Sequence, residues 1–202
     1  RPYGQTYFLG FTGEFNKKVA YGTSFGKEYF GTERERVISR NLLQRFDAVS
    51  VRDDLSVAEC EKQFGVQADK VCDPTLLCPT EEYDKLIARA NLTKTEDYLL
   101  AYILDPTPEI GQELIKLSQL CGKKVRVILD EVPWNWKANV ERLALDGSGD
   151  VEIAEEVDLF EWMWYYKNAD AVVTDSFHGT IFSLIFRKPF LTLTNVRRGA
   201  AR

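Results

Sequence analysis

Asp170-Ala171-Val172-Val173-Thr174-Asp175-Ser176-Phe177-His178-Gly179-Thr180 carries the only histidine of the chain. The stretch reads as a buried strand, a polar turn and the start of a helix. In an α/β protein such a turn lies at the carboxyl edge of the sheet, where ligands bind. The new helix offers unpaired N–H groups and a positive dipole end, and both favour an anion. Asp175, Ser176 and His178 therefore stand where phosphate or carboxylate chemistry is easiest to build. The same spacing also fits a purely structural turn, with Ser176 as the helix cap and His178 as a packing residue.

Working outward, further short apolar runs have the same character: Ala48 to Val51, Tyr98 to Leu104, Val125 to Leu129 and Phe190 to Leu193. Near-continuous hydrophobicity suits parallel strands covered on both faces. Helix signals alternate with them. Ser56 with Glu59 reads as a capping box before Val57, Cys60 and Phe64, closed by Gly65. Thr107 precedes Pro108 at a first helical position, with Ile110, Leu114, Leu117 and Cys121 on one face and Gly122 as the stop. Asp158 and Glu161 form a third start, with Leu159, Trp162, Met163 and Tyr166 as the inward stripe. The alternation predicts an α/β fold of Rossmann-like parallel sheets. The expected organisation is an incomplete α/β unit over 1–80, a linker helix and loop over 81–96, and a Rossmann-like ligand-binding domain over 97–202. The ends, Arg1 and an Arg/Gly/Ala string, read as cut from something longer.

Bulk properties narrow the function classes. The 202 residues are 45% hydrophobic and 28% charged, ordinary for a globular protein with a real core. A net charge of -5 with no basic block argues against nucleic acid as a partner. Cys60, Cys72, Cys78 and Cys121 form no Cys-x-x-Cys pair, and one histidine completes no zinc pattern, so no metal cage is expected. They read as reduced, mostly buried thiols of a cytoplasmic protein. No apolar run reaches transmembrane length.

The residues just after the strands make the most informative pattern. Arg52 and Asp53, Asp105, Asp130 and Glu131, Asp175 to His178, and Thr194, Asn195, Arg197 and Arg198 each come after an apolar run. In a parallel sheet they gather along the carboxyl edge, and arginines, a histidine and carboxylates there can hold an anion and move a proton. No Gly-x-Gly-x-x-Gly succeeds a strand, and no phosphate-loop or Gly-x-Ser-x-Gly pattern exists. In the aromatic run 160–166, Trp162 and Tyr166 read as core and Trp164 and Tyr165 as outward-facing. Trp134 and Trp136, beside Pro133, read as loop residues able to stack on a sugar.

The stretch from Ala169 to Leu184, continuing to Lys188-Pro189-Phe190, resembles the signature of the polysaccharide pyruvyl transferase family. Tyr21-Gly22-Thr23-Ser24-Phe25-Gly26, Ala48-Val49-Ser50-Val51-Arg52-Asp53 and Asp73-Pro74-Thr75-Leu76-Leu77 match in order. The resemblance implies a fold like the GT-B glycosyltransferases, with two Rossmann-like domains, of which residues 97–202 are the donor-binding one. It implies transfer of the enolpyruvyl group of phosphoenolpyruvate to two sugar hydroxyls, giving a pyruvate ketal on a cell-surface polysaccharide precursor. By that resemblance His178 and Arg52 contact phosphoenolpyruvate, Arg198 or Arg197 adds a second cation, and Asp130 or Glu131 serves as acid or base. Ser176 and Gly179 belong to the same binding motif. Phosphoenolpyruvate is then the donor substrate, no cofactor or metal is needed, and the acceptor is a sugar or lipid-linked glycan.

The chemistry of the residues agrees: arginines can clamp phosphate and carboxylate with paired hydrogen bonds, and the helix at Ser176 adds N–H donors. Arg52 and the 197–198 pair are expected to converge on the imidazole in a positively charged pocket. The expected location is the cytoplasm, with the inner membrane face as the meeting point for a lipid-linked acceptor. Two other readings fit the same architecture, a nucleotide-sugar glycosyltransferase and a non-catalytic partner in polysaccharide assembly.

Overall fold

The structure is a computed structural model that describes residues 4–26, 31–130, 136–147 and 149–195. The described residues form two compact units, one running to Leu77 and the other from Cys78 onward.

The first unit opens with a single helical turn, α1 (Gly4–Tyr7), and β1 (Val19–Thr23). Helix α2 (Glu33–Leu43) comes next, started by a capping box in which Thr32 and Glu35 bond each other's backbone N–H. Strand β2 (Ala48–Val51), α3 (Asp54–Glu59), a π-helical turn (Cys60–Phe64), β3 (Asp69–Lys70) and a 3-10 turn (Pro74–Leu77) complete it. The three strands are parallel, in the order β1-β2-β3. Leu43, Val49, Val51, Cys60 and Phe64 form the core. The cap of α3 differs from the sequence expectation. Asp53, still extended at φ −142, accepts from the Ser56 N–H at 2.7 Å. The Ser56 hydroxyl instead accepts from the Phe25 N–H at 3.0 Å. Because β2 ends at Val51, Asp53 is the first capping side chain the chain meets.

The second unit has five parallel strands: β4 (Tyr98–Ile103), β5 (Lys124–Leu129), β6 (Val151–Ile153), β7 (Ala171–Thr174) and β8 (Phe190–Thr192). Their order is β6-β5-β4-β7-β8, so the chain builds outward from β4 on one side and then returns to its other side. That reversal at β4 and β7 is the place where open α/β sheets bind ligands. The helices are α4 (Thr80–Ile87), α5 (Pro108–Cys121), α6 (Trp136–Leu143), α7 (Leu159–Asn168) and α8 (Phe177–Ile185). Both faces of the sheet are covered. Tyr98 and Leu100 pack with Met163, Tyr166 and Phe182 on one side. Leu99, Ala101 and Ile103 pack with Leu114 and Leu143 on the other, as the two-residue period of a strand requires. Gly111 permits the close approach of α5 to α6, since a Cβ there would sit 1.8 Å from the Leu143 carbonyl oxygen.

The caps at Thr107 and Asp158, the left-handed stop at Gly122 and the five apolar strands lie where the sequence puts them. Several other expectations need correction. The 81–96 segment is no linker: Tyr83 and Ile87 of α4 are buried in the second unit's core against Phe182. Leu159 is 64% exposed rather than part of the inward stripe. Among the thiols only Cys60 is buried; Cys78 is half-buried, and Cys72 and Cys121 are exposed. Trp164 and Tyr165 are half-buried, with the Tyr165 carbonyl accepting from the Tyr98 hydroxyl at 2.9 Å. Trp136 is the half-buried first residue of α6, not a loop residue. Trp134 lies outside the described residues. Among the described residues no helix is long and apolar enough to cross a membrane.

Candidate functional site

The turn from β7 to α8 is locked from beneath. Thr174, fully buried, donates to the Tyr102 carbonyl at 2.7 Å and accepts from the Ser176 N–H at 3.1 Å. Asp175 is buried as well. One carboxylate oxygen accepts from the Leu104 N–H at 2.7 Å; the other accepts from the Asp105 N–H at 3.0 Å and the Asn195 amide at 2.9 Å. The Ser176 hydroxyl accepts from the Gly179 N–H at 3.2 Å and so caps α8. Gly179 lies against Thr174 and Tyr166: a Cβ there would stand 2.3 Å from the Thr174 hydroxyl and 2.7 Å from the Tyr166 phenol oxygen. Burial pushes that phenol well above its usual range.

These contacts sort the predicted ligands. Asp175, Ser176 and Gly179 hold the turn and shape the helix start. His178 is exposed in the first turn of α8, with its ring edge-on to Phe177 at 5.3 Å. It lines a cleft of about 390 Å³ at the carboxyl edge of the sheet. Asp130, directly after β5, lines the same cleft, so the structure brings these two predicted residues together. Strand ends alone do not point to Tyr102, Asp158, Trp162 and Phe182, which also line the cleft. Trp162, expected only in the core, has a second face. Its ring is packed edge-on against Tyr102 at 5.3 Å and Phe182 at 4.9 Å, and all three line the cleft. Among the described residues the cleft lining holds two carboxylates and no lysine or arginine. Glu131, Arg197 and Arg198 lie outside the described residues.

Arg52 belongs to the first unit and His178 to the second. Within its own unit Arg52 stands directly after β2. Its Nε is 3.4 Å from Asp73 Oδ2, and its Nη1 donates to the Gly22 carbonyl at 3.4 Å. The neighbouring Asp53 carboxyl is partly desolvated, which works to raise its pKa. Hydrogen bonds from Ser24 and Ser56 and the Arg52 charge outweigh this and hold it below the usual carboxylate range. Arg52 thus stands at the carboxyl edge of the first sheet, beside an apolar hollow of about 570 Å³ lined by Phe8, Phe25 and Val51. Among the described residues no group of three or more His, Cys, Asp or Glu side chains is placed to hold a metal.

Known proteins give the same fold. The UDP-GlcNAc 2-epimerase of Methanocaldococcus jannaschii, solved with UDP-GlcNAc and UDP, superimposes with a TM-score of 0.57 at 14% identity, over 88% of this chain and 54% of its own. The Neisseria meningitidis UDP-GlcNAc 2-epimerase gives 0.53 at 13% identity, over 95% and 55%. The S. aureus MnaA–UDP structure gives 0.56 at 12% identity, over 95% and 54%. The chain therefore spans about half the length of these structures, and at such identities the likeness is one of fold: parallel-sheet α/β, GT-B-like. No curated protein matches the sequence. The family model for polysaccharide pyruvyl transferase matches residues 1–195, nearly the whole chain. On that match the chain belongs to the polysaccharide pyruvyl transferase family.

Proposed function

We propose that this chain carries the proton-transfer part of a pyruvyl transferase that moves the enolpyruvyl group of phosphoenolpyruvate onto two hydroxyls of a sugar. The observation that carries the reading is the pairing of His178 and Asp130 on one cleft at the sheet's carboxyl edge. An imidazole and a carboxylate across a small cleft can divide the work of acid and base. Asp130 takes the proton of the attacking hydroxyl, and His178, as imidazolium, gives one to the methylene carbon of the alkene. The sugar oxygen forms its bond to the central carbon as the double bond is lost. The carbon–oxygen bond to phosphate then breaks, and inorganic phosphate leaves with that electron pair. The second hydroxyl adds to the resulting oxygen-stabilised cation and releases its proton, which closes the ketal. The start of α8 favours the negative charge of the donor. Arg52, Arg197 and Arg198 are assigned to the same donor as guanidinium ligands of its phosphate and carboxylate.

The acceptor in this reading is a sugar or lipid-linked glycan of a cell-surface polysaccharide precursor. The reaction is assigned to the cytoplasm, at the inner face of the membrane. Calorimetric titration of phosphoenolpyruvate into the wild type, His178→Ala and Arg52→Ala provides the test. The expected result is affinity loss of about tenfold in each variant, the worth of one charge-assisted contact. Equal affinity in all three removes the donor assignment. A thermal shift with nucleotide sugars and none with phosphoenolpyruvate replaces it with the glycosyltransferase reading.

A further inference from the structure

We propose that Asp73, together with the carbonyl of Gly22, positions Arg52, holding its guanidinium in one orientation at the carboxyl edge of the first sheet for an incoming anion. That the anion is the phosphoenolpyruvate donor rests on the function proposed above, whereas the positioning comes from the first unit itself. Arg52 stands directly after β2. Its Nε lies 3.4 Å from Asp73 Oδ2, and its Nη1 donates to the Gly22 carbonyl at 3.4 Å. A long side chain that is immobilised only when ligand arrives weakens binding by its lost freedom. A guanidinium already gripped at two nitrogens has lost that freedom in the folded protein, before any ligand is present.

Both grips are themselves held by the fold. Ala20 pairs with Val49 and Thr23 with Val51, so β1 carries one more residue than β2 over the same span. That is a bulge, a device rare between parallel strands and known for re-aiming groups beside active sites. Gly22 stands in it at φ +58, a left-handed value that suits glycine. The Ser50 hydroxyl bridges the interrupted ladder: it accepts from the Gly22 N–H at 3.2 Å and donates to the Ala20 carbonyl at 3.1 Å. The Gly22 carbonyl goes to Arg52. Asp73 is buried, and its other oxygen accepts from the Thr75 N–H at 3.0 Å and the Thr75 hydroxyl at 2.7 Å. The segment around Asp73 also presses on the bulge, since a Cβ on Gly22 would stand 2.9 Å from Pro74 Cδ and 3.3 Å from the Cys72 carbonyl oxygen. Asp73 has two opposed effects on an anion at Arg52. Its charge repels the anion, and its grip orients the guanidinium that binds it. The opposite signs make the two effects separable.

The test titrates phosphoenolpyruvate into wild type, Asp73→Asn, Thr75→Val, Arg52→Ala and the Arg52→Ala/Asp73→Asn double variant. Positioning predicts affinity about fivefold weaker in Asp73→Asn, and a smaller loss in Thr75→Val, which loosens the carboxylate without changing any charge. A neighbouring charge with no positioning role predicts the opposite sign, tighter binding in Asp73→Asn. The effect of Asp73→Asn is expected to vanish in the Arg52→Ala background, because it acts through that guanidinium. Unchanged or tighter binding in Asp73→Asn, or an equal loss in both backgrounds, overturns the proposal. Phenylglyoxal, which attacks the neutral guanidine, reads Arg52 without any donor. Asp73→Asn is expected to speed modification of Arg52 about threefold, since the carboxylate no longer favours the charged form. Buried Cys60 staying unlabelled shows that the first unit is still folded. An unchanged rate overturns the positioning. If Asp73→Asn does not fold, Thr75→Val decides both measurements. A wild type that binds no phosphoenolpyruvate, with the Arg52 rate responding, overturns the proposed function and leaves the positioning of Arg52 standing. Donor binding that Arg52→Ala leaves unchanged overturns the donor role of Arg52 and this proposal with it.

Discussion

Arg52 Nε lies 3.4 Å from Asp73 Oδ2, and the side chain of Asp73 is almost completely buried. The two residues are far apart in sequence and come from two of the segments that resemble the family. Their pairing ties the two segments together within the first unit. Asp73 also accepts from the Thr75 N–H at 3.0 Å and its hydroxyl at 2.7 Å, which fixes the carboxylate at the start of the 3-10 turn. Replacing it with alanine leaves a half-buried guanidinium and two donors without that acceptor. Asp73→Ala is expected to cost about 1–3 kcal/mol in urea unfolding, with Asp73→Asn milder. A loss below a few tenths of a kcal/mol would mean that the pairing carries no weight.

Gly179→Ala sets two effects against each other. Alanine is the better helix former by about 1 kcal/mol. Its Cβ, however, would meet Thr174 and Tyr166 well inside contact distance. Overpacking of this kind costs about 1–3 kcal/mol and sometimes more. Packing is expected to win, giving a lower unfolding midpoint by calorimetry. A gain in stability would refute the close approach.

Asp170 bridges Lys123 and Lys94, and the Lys123 hydrogen bond above all, with Lys94 behind it, holds its carboxyl below the ordinary carboxylate range. A depressed folded-state pKa adds stability that is present above the unfolded value, about 3.9 for aspartate, and is lost as the pH falls through the folded value. Wild type is therefore expected to lose more stability between about pH 5 and pH 3 than Asp170→Asn. The pair is partly exposed, so the difference will be modest and will shrink in high salt. Parallel pH profiles for the two proteins would contradict the assignment.

Thiol reactivity separates the four cysteines. Burial first, and then the charges of Glu59 and Asp53, push the Cys60 thiol up to about 11. Cys72 and Cys121 are exposed. At neutral pH a disulfide reagent is expected to label Cys72 and Cys121 within minutes, and Cys60 only after denaturation. Mass spectrometry of the labelled peptides checks the order. Prompt labelling of Cys60 in the native state would place it outside the first unit's core.

The local parts of this molecule are legible in the sequence. The caps at Thr107, Asp158 and Ser176 act within three residues, and the apolar strands carry an unbroken signal, so both can be read without knowing the fold. The Thr32–Glu35 pair is a capping box of the same kind, and it marks a helix absent from the sequence expectations. Where two capping residues stand close together, as Asp53 and Ser56 do, the choice depends on where the preceding strand stops. Strands of two or three residues, such as β3 and β6, are too short to show a period. At the site, His178 and Asp130 are legible because strand ends in a parallel sheet share an edge. Asp158, Trp162 and Phe182 sit in or beside helices and join the cleft only through packing. No local pattern distinguishes a tryptophan that fills a core from one that also walls a cleft.

Asp175 receives hydrogen bonds from the backbone after β4 and from Asn195 after β8, while itself standing at the end of β7. One anionic hub thus fastens three separate turns at a single point. The backbone that carries the imidazole continues directly from this hub. Under the function proposed above, a buried carboxylate would hold the ring's backbone in place, and Asn195 would act on it through that carboxylate.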